Sequence, residues 1–419
     1  MSDDAPPHSA PAMRQPPGDP VSGAGRVPST AAGTPPTAPP APLPPARRDL
    51  APDLARGFML LVIATVHAHL FRVATGAGGF TLDGTLDVVA TAVMALFAEN
   101  RGYPMFAALF GYGLAQIHRR RTDEGRPWPW VRRLLRRRGR WLVVIGVAHT
   151  ALLFYGDIIS VYGLIALAFV AMLRFTDRRL LTHAFAWMAA GTLAYSAAQN
   201  LVFGAAQEPT GGQNPGPLLD VLFRLMTLPV FWPLMIAISV FPFLMGVWAE
   251  RRRLLEAPGR HRALLVRIAA GGIGLAVLGG IPQALVNVEV WSVGPVAATA
   301  VFWVHLLTGY AGGFGYAAAI ALVAPRLGRR RGSVTAALAA TGRRSMTAYL
   351  LQSVVWAALI PPYALNVAPG LGDAQAVALG VGVWLATVVI CDMLRRAGFR
   401  QGPAEWFLRR MTYGRPARG

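Results

Sequence analysis

The sequence predicts an all-α fold, a polytopic integral membrane helix bundle, and three observations lead to this prediction. The mean hydropathy is +0.43, with 54% hydrophobic and only 14% charged residues, which is not the composition of a soluble domain. Apolar stretches close to the roughly 20 residues that a membrane helix needs recur along the chain. The segments between them alternate between arginine-rich and arginine-poor. Because lipid offers no hydrogen bonds to backbone groups, such stretches are expected to be helices.

The arginine distribution predicts the orientation of these helices. Positive clusters fall in every second connecting segment, and the positive-inside rule places such segments in the cytoplasm. We therefore expect about ten transmembrane helices, with both termini cytoplasmic, in a bacterial plasma membrane. The expected helices are 57–73, 86–117, 140–156, 158–174, 180–203, 222–249, 263–283, 297–324, 344–362 and 374–394. The second stretch is too long for one straight span, and Gly102 and Pro104 predict a kink or break within it.

Composition also predicts the domain organisation. Residues 1–48 are rich in proline and alanine, which predicts a disordered cytoplasmic tail rather than a signal peptide. Residues 49–414 are expected to form one transmembrane domain, and 415–419 a short tail. Within that domain, 118–140 are predicted to be a basic interfacial cytoplasmic loop, with a helix lying at the lipid headgroups. A pocket for an anionic cofactor such as coenzyme A is the alternative for the same segment.

Charge and cysteine content exclude several classes of function. The net charge is +20 and the isoelectric point is about 11.4, but the positive charge is spread over every predicted cytoplasmic loop, where it meets lipid headgroups. We therefore expect membrane lipids as partners and no nucleic acid. Cys391 is the only cysteine, which excludes cysteine-based metal clusters and intramolecular disulfides. With no zinc motif or phosphate-binding loop either, we expect no metal and no tightly bound cofactor.

Polar residues inside predicted spans are the catalytic candidates, because each costs at least about 2.5 kcal/mol to insert. Arg56 and His67 share the first helix, about 16 Å apart along its axis and on the same side. His149 lies in the third span and Asp157 in the next turn, so they face each other only if the turn folds back. A carboxylate that fixes the imidazole tautomer makes histidine a general base. For Arg56 and His67 the alternative is an arginine at the headgroups and a histidine near the interface. For His149 it is an isolated buried histidine bonded to a backbone carbonyl.

The second predicted span carries two opposite charges, Glu99 and Arg101. Such charges are expected to pair with each other or to line a wet cavity. A re-entrant bend whose charges reach water is the alternative. His305 in the eighth span has no obvious partner in the sequence and is predicted to be a packing residue.

The ninth predicted helix supplies the remaining binding candidates. Arg343 and Arg344 open it, and Tyr349 and Gln352 follow on related faces. A polar stripe of this kind binds a neighbouring helix or lines a substrate path.

Several motifs, in order, resemble those of the bacterial YeiB-like membrane family, which carries a domain-of-unknown-function label. The resemblance extends from about Asp49 to Gly414 and is specific. Its motifs are Asp53–Gly57, Phe106–Gly113, the arginine-rich segment, His149, Gly156–Ile158, Tyr162, Gly342–Ser353 and Gly402–Gly414.

Through its first helix this family resembles a wider group of transmembrane acyltransferases, including the lysosomal heparan-glucosaminide acetyltransferase and bacterial sugar O-acyltransferases. The resemblance implies a cytoplasmic acyl-coenzyme A donor and an acceptor across the membrane, such as an envelope glycan, a lipid or a metabolite. Arg56 and His67 reproduce the spacing of an arginine and a histidine in the O-acyltransferases. The segment Phe71–Leu82 contains no counterpart of the acetyltransferase's loop histidine.

The residues fit this implied mechanism. His67, aided by Asp157 or Glu99, is the expected base, and the donor phosphates are expected to meet arginines at the inner face. Those arginines are Arg56, Arg136, Arg137, Arg343 and Arg344. A carrier for a small solute or lipid remains an alternative, because the predicted break in the second span is typical of transporters. A non-catalytic membrane scaffold is the third possibility.

Overall fold

The computed structural model describes residues 50–74, 82–199, 216–329 and 332–414. In these ranges every regular element is a helix, so the predicted all-α class is confirmed. The α-helices are α1 (Leu50–Ala74), α2 (Thr85–Phe97), α3 (Gly102–Asp123), α4 (Trp128–Leu152), α5 (Ile158–Phe169), α6 (Asp177–Ala198), α7 (Gly216–Arg251), α8 (Arg262–Asn287), α9 (Pro295–Arg329), α10 (Ser333–Arg343), α11 (Ser345–Leu359), α12 (Asp373–Arg396) and α13 (Pro403–Tyr413). The predicted tails, 1–48 and 415–419, lie outside the described residues.

Five helices in the described ranges are long and apolar enough to cross a membrane. They are Leu50–Leu70 within α1, and α7, α8, α9 and α12. Two further segments, Ile158–Arg174 and Ser345–Leu359, are apolar but shorter. These helices indicate a membrane protein, whereas the predicted count of about ten spans rests on the charge pattern as well as on length.

The predicted break in the second apolar stretch is confirmed. α2 ends at Phe97 and α3 begins at Gly102, so the chain leaves the helix for one turn between them. Asn100 adopts a left-handed backbone conformation, with a φ of 58°. Pro104 lies in the first turn of α3, where its missing N–H costs no intrahelical hydrogen bond. Glu99 and Arg101 therefore lie at a gap between two helices.

The prediction of a basic loop over 118–140 is wrong. Residues up to Asp123 continue α3, residues from Trp128 onward begin α4, and only 124–127 connect them. The reason is that Val131, Leu134 and Leu135 are buried at helical spacing and hold the basic segment as a helix. The expected flat helix is instead the first half of α4, continuous with the helix that carries His149.

Small residues allow the helices that carry the candidate site to approach closely. At the α4–α5 contact, a Cβ on Gly139 would lie 2.9 Å from the carbonyl oxygen of Gly163, and a Cβ on Gly163 would lie 2.7 Å from that of Gly139. Nearer the site, a Cβ on Gly146 would lie 2.6 Å from Cβ of Ser160 and closer still to the backbone of α5. α1 packs against α11 and α12, which also contact each other. A shared apolar cluster that includes Leu60, Leu142, Ile159 and Tyr349 brings α1, α4, α5 and α11 together.

Candidate functional site

A buried histidine–carboxylate pair lies where α4 meets α5. Nδ1 of His149 is 2.9 Å from Oδ1 of Asp157, and both side chains are fully buried. Asp157 is also the N-cap of α5 and accepts hydrogen bonds from the backbone N–H groups of Ile159 (3.1 Å) and Ser160 (2.6 Å). The cap satisfies two N–H groups that the helix leaves without partners, and it fixes the position of the carboxylate.

The chain folds Asp157 back onto His149 through a tight turn. The backbone N–H groups of Leu153 and Phe154 both donate to the carbonyl oxygen of His149, at 2.8 and 3.0 Å, and end α4 there. A Cβ on Gly156 would lie 2.5 Å from the ring of Phe154, so a larger residue at this point would have to displace that ring. The sequence predicts that Asp157 can face His149 only if this turn folds back, and the turn does so.

Tyr349 lies between the two histidines of the site. Its ring centroid is 5.1 Å from that of His149 and 5.8 Å from that of His67. The His67 ring also packs at 4.7 Å against Phe154, in the turn that carries Asp157. The structure thus brings together the predicted residues His67, His149, Asp157 and Tyr349, although they come from four segments of the chain.

The Asp157 carboxylate determines what this cluster can do chemically. A carboxylate beside Nδ1 favours a proton on that nitrogen and leaves Nε2 with a lone pair. In the described ranges no donor or acceptor bonds to Nε2 of His149, and Nδ1 meets Asp157 as a 2.9 Å ion-pair contact rather than as a well-directed hydrogen bond. A histidine beside a buried carboxylate is an arrangement that general bases use. The side chains of His149 and Asp157 have no exposed surface.

Gln352 ties α11 to α1 beneath this cluster. Its Nε2 donates to the carbonyl oxygen of Leu60 at 3.5 Å, and the side chain is fully buried. The polar stripe on α11 was predicted either to bind a neighbouring helix or to line a substrate path. The contact of Gln352 with α1 fits the first of these roles.

A second polar cluster surrounds Arg101 in the break between α2 and α3. The side chain is fully buried and donates to the carbonyl oxygens of Glu99 and, at 2.6 Å, Ala276. Its Nη1 lies 3.3 Å from Nε2 of His305, which in turn lies 3.8 Å from Oε2 of Glu99. The expectation that His305 only packs is therefore wrong: it joins the two charges of the break.

Glycines on α8 and α9 make room for this arginine. A Cβ on Gly280 would lie 2.8 Å from Nη2 of Arg101, and a Cβ on Gly312 would lie 3.0 Å from its Cγ.

Glu99 is engaged at this cluster rather than at His67, so the expected help from Glu99 to His67 is not observed.

The predicted donor-binding arginines differ in their availability. Arg56 is partly exposed and lies 3.4 Å from Asp53, one turn earlier on α1. Arg343 is half-buried. Arg344 is almost fully buried and donates to the carbonyl oxygens of Ala340, at 3.1 Å, and Phe399. The prediction that Arg344 binds the donor does not fit this arrangement, in which its guanidinium joins α10 to the segment after α12.

Two features of the site region escaped sequence reasoning. Oε1 of Glu405 on α13 accepts hydrogen bonds from the backbone N–H groups of Met346 (2.7 Å) and Thr347 (3.1 Å), and so caps the start of α11. His69 lies 3.0 Å from Asp373 at the start of α12. Both pairings join distant segments, and the only signal for the first was the presence of Glu405 in the C-terminal motif.

The fold and the site together define a helical membrane protein with buried polar clusters between its helices. Residues 249–415 match the family described as "Protein of unknown function (DUF418)". The resemblance to YeiB-like proteins that the motifs predicted is thereby confirmed.

Two curated relatives extend this match. Uncharacterized protein YxaH of Bacillus subtilis (strain 168) is 23% identical over 395 residues, covering 86% of this chain and 93% of YxaH. Uncharacterized protein YeiB of Escherichia coli (strain K12) is 34% identical over 98 residues, covering 23% of this chain and 24% of YeiB. No solved structure gives a significant match.

Proposed function

We propose that this protein is an integral membrane acyltransferase, which moves an acyl group from cytoplasmic acyl-coenzyme A to a hydroxyl or amine on the other side of the membrane. The observation that carries the proposal is the buried pair of His149 and Asp157, with Tyr349 and His67 around it. A histidine oriented by a carboxylate is the usual general base for transfer to a hydroxyl.

The residues support a balanced transfer step. Nε2 of His149 takes the proton of the acceptor's hydroxyl or amine as that atom attacks the thioester carbonyl carbon of the donor. A new ester or amide bond forms, the carbon–sulfur bond breaks, and the leaving thiolate receives the proton from His149. Asp157 stabilises the imidazolium that exists between these two proton transfers. Tyr349 packs beside this imidazole and also contacts the ring of His67.

The arginine-rich ends of the same helices suit the donor. Arg136 and His149 lie on α4 about 20 Å apart along the axis, and Arg56 and His67 on α1 about 16 Å apart. A donor whose phosphates meet arginines at one end extends along the helices towards the histidines. This arrangement fits about ten spans, both termini in the cytoplasm of a bacterium, and histidines near the outer leaflet.

Membranes carrying the protein, incubated with acetyl-coenzyme A labelled in the acetyl group, test the proposal. We expect a labelled acceptor in the wild type and loss of at least about 100-fold of the labelling rate in His149→Ala. Gly274→Ala is the matched control, because a Cβ on Gly274 meets nothing within 4 Å. Labelling that is the same in wild type and His149→Ala excludes His149 as the base. Absence of any donor-dependent labelling overturns the enzyme proposal.

A carrier for a small solute or lipid is the second candidate, supported by the buried Arg101 cluster in the broken helix pair α2 and α3. Broken helices and a buried charge are typical of substrate sites in transporters. Uptake into vesicles that needs no acyl donor and is kept in His149→Ala favours the carrier over the enzyme.

A further inference from the structure

The first turns of α4 present a stripe of arginines to an open cavity. Pro129, Arg132, Arg133 and Arg136, at helical spacing, line a space of about 550 Å³. All of these residues are exposed, while Val131 and Leu135, on the opposite face of the helix, are buried. The apolar face of this part of the helix therefore packs against the protein, and the arginines lie on its exposed face.

Several arginines near the ends of the helices have acidic partners, whereas the arginines of this cavity have none in the described ranges. Arg119 forms ion pairs with Glu250 and Glu256, and Arg251 and Arg252 pair with Asp177. Within the described ranges, no carboxylate lies at ion-pair distance from the cavity arginines Arg132, Arg133 and Arg136. Three guanidinium groups around one cavity therefore lack a negative charge.

The surroundings add further positive charge. The guanidinium of Arg174 lies over the ring of Trp128, and that of Arg126 lies over the ring of Trp130, at 5.7 and 5.0 Å. The cavity is also at the N-terminal, positive end of the α4 dipole. All of these features favour an anion at this end of α4.

We propose that Arg132, Arg133 and Arg136 form a binding site for a phosphate-bearing ligand. Guanidinium groups bind phosphate oxygens in a bidentate way, and three of them match a phosphate or diphosphate with at least two negative charges. Such a group belongs either to the headgroup of an anionic phospholipid or to a soluble diphosphate ester. The proposal does not depend on acyl transfer, because it rests on the cavity and its charge alone.

Two probes distinguish these sources with the purified full-length protein in a neutral detergent. The first is short-chain phosphatidylglycerol, measured against phosphatidylcholine of the same chain length. The second is inorganic pyrophosphate. We expect at least one probe to bind, and the triple variant R132Q/R133Q/R136Q to bind it at least about tenfold more weakly. The control variant R178Q/R179Q/R262Q removes the same charge from exposed arginines outside the cavity, and we expect less than about a twofold change in affinity.

Each outcome decides the matter. Binding of phosphatidylglycerol alone identifies a site for a lipid headgroup. Binding of pyrophosphate identifies a site for a soluble diphosphate. Either result supports the proposal if the triple variant no longer binds that probe. If the control variant weakens binding as much as the triple variant does, the effect is a general one of charge and the proposal is overturned. The proposal is also overturned if the triple variant binds as the wild type does, or if neither probe binds. If the triple variant does not fold, Arg133→Gln alone is compared with Arg178→Gln under the same criteria.

Discussion

The carboxylate of Asp157 acts on two elements at once: it lies 2.9 Å from Nδ1 of His149 and it caps the first turn of α5. The position of the candidate base therefore depends on the start of the following helix. Any change that moves the start of α5 is expected to move the imidazole as well.

Replacing Asp157 with alanine tests this double role. We expect a loss of about 1–2 kcal/mol in the free energy of unfolding for the cap, with a further loss because buried His149 is left without its carboxylate. Thr176→Ala removes another cap, at the exposed start of α6, where Thr176 accepts from the N–H of Arg179 at 3.4 Å. Urea unfolding in detergent measures both variants, and equal losses in the two contradict a special role of Asp157.

A second prediction concerns Gly146, which lies one turn before His149. A Cβ at this position overlaps Ser160 and the Asp157 carboxylate, so Gly146→Ala forces α4 and α5 apart at a cost of about 1–3 kcal/mol. We expect acyl transfer to be lost as the His149–Asp157 distance increases. Gly274→Ala serves as control, and we expect it to keep activity and to unfold no more easily than the wild type, since alanine favours helices. Thermal unfolding and the labelling rate measure these effects, and normal activity of Gly146→Ala contradicts the packing described.

Arg101 is predicted to be essential for the stability of the bundle. Arg101→Gln leaves the carbonyl oxygen of Ala276 and the buried pair of His305 and Glu99 without their cation. We expect destabilisation of about 3–5 kcal/mol, as for removal of one partner from a buried ionic network. Arg178→Gln on the exposed surface of α6 is expected to change stability by less than about 0.5 kcal/mol. An effect of Arg101→Gln as small as that of this control contradicts the assignment.

The ion pairs between α6 and α7 predict a dependence of stability on acid. The hydrogen bond from Arg251, followed by that from Arg252, lowers the pKa of Asp177 from its ordinary value of 3.8. A carboxylate with a lowered pKa stabilises the folded state above its ordinary pKa, and this contribution is lost as the pH falls through the folded pKa. We expect Asp177→Asn to flatten the fall in melting temperature below about pH 4. Asp123→Asn, at an exposed position, is expected to leave the acid dependence as in the wild type, and an identical profile in both variants contradicts the prediction.

Glu405 is predicted to set the position of Tyr349 from a distant part of the chain. Glu405→Gln keeps one acceptor oxygen but loses the charge that favours the start of α11, whose first N–H groups it binds. We expect a loss of about 0.5–1 kcal/mol in stability and a lower labelling rate, with Glu405→Ala more severe than Glu405→Gln. Equal effects of the two substitutions on labelling indicate that the carboxylate oxygens do not position α11.

The sequence predicts the all-α class and the break between α2 and α3, because hydropathy and helix breakers are local signals. It left the pairing of His149 with Asp157 open as one of two interpretations, since eight residues and one turn separate them, and the structure shows the two in contact. It could not place His305 beside Arg101 or Glu405 beside Met346, because those contacts join segments far apart in the chain. The burial of Arg344 was missed for the same reason, since the carbonyl of Phe399 that binds it belongs to a different segment. The basic stretch after His118 was predicted to be a loop because of its many arginines. Its buried apolar residues, at helical spacing, make it part of a helix.

The most direct measurement supplies labelled acetyl-coenzyme A to one face of sealed membrane vesicles at a time. The account predicts that the donor is used only from the face that carries the start of α4, that the labelled acceptor appears on the opposite side, and that His149→Ala abolishes this transfer. Use of the donor from the other face, or equal transfer in wild type and His149→Ala, would contradict it.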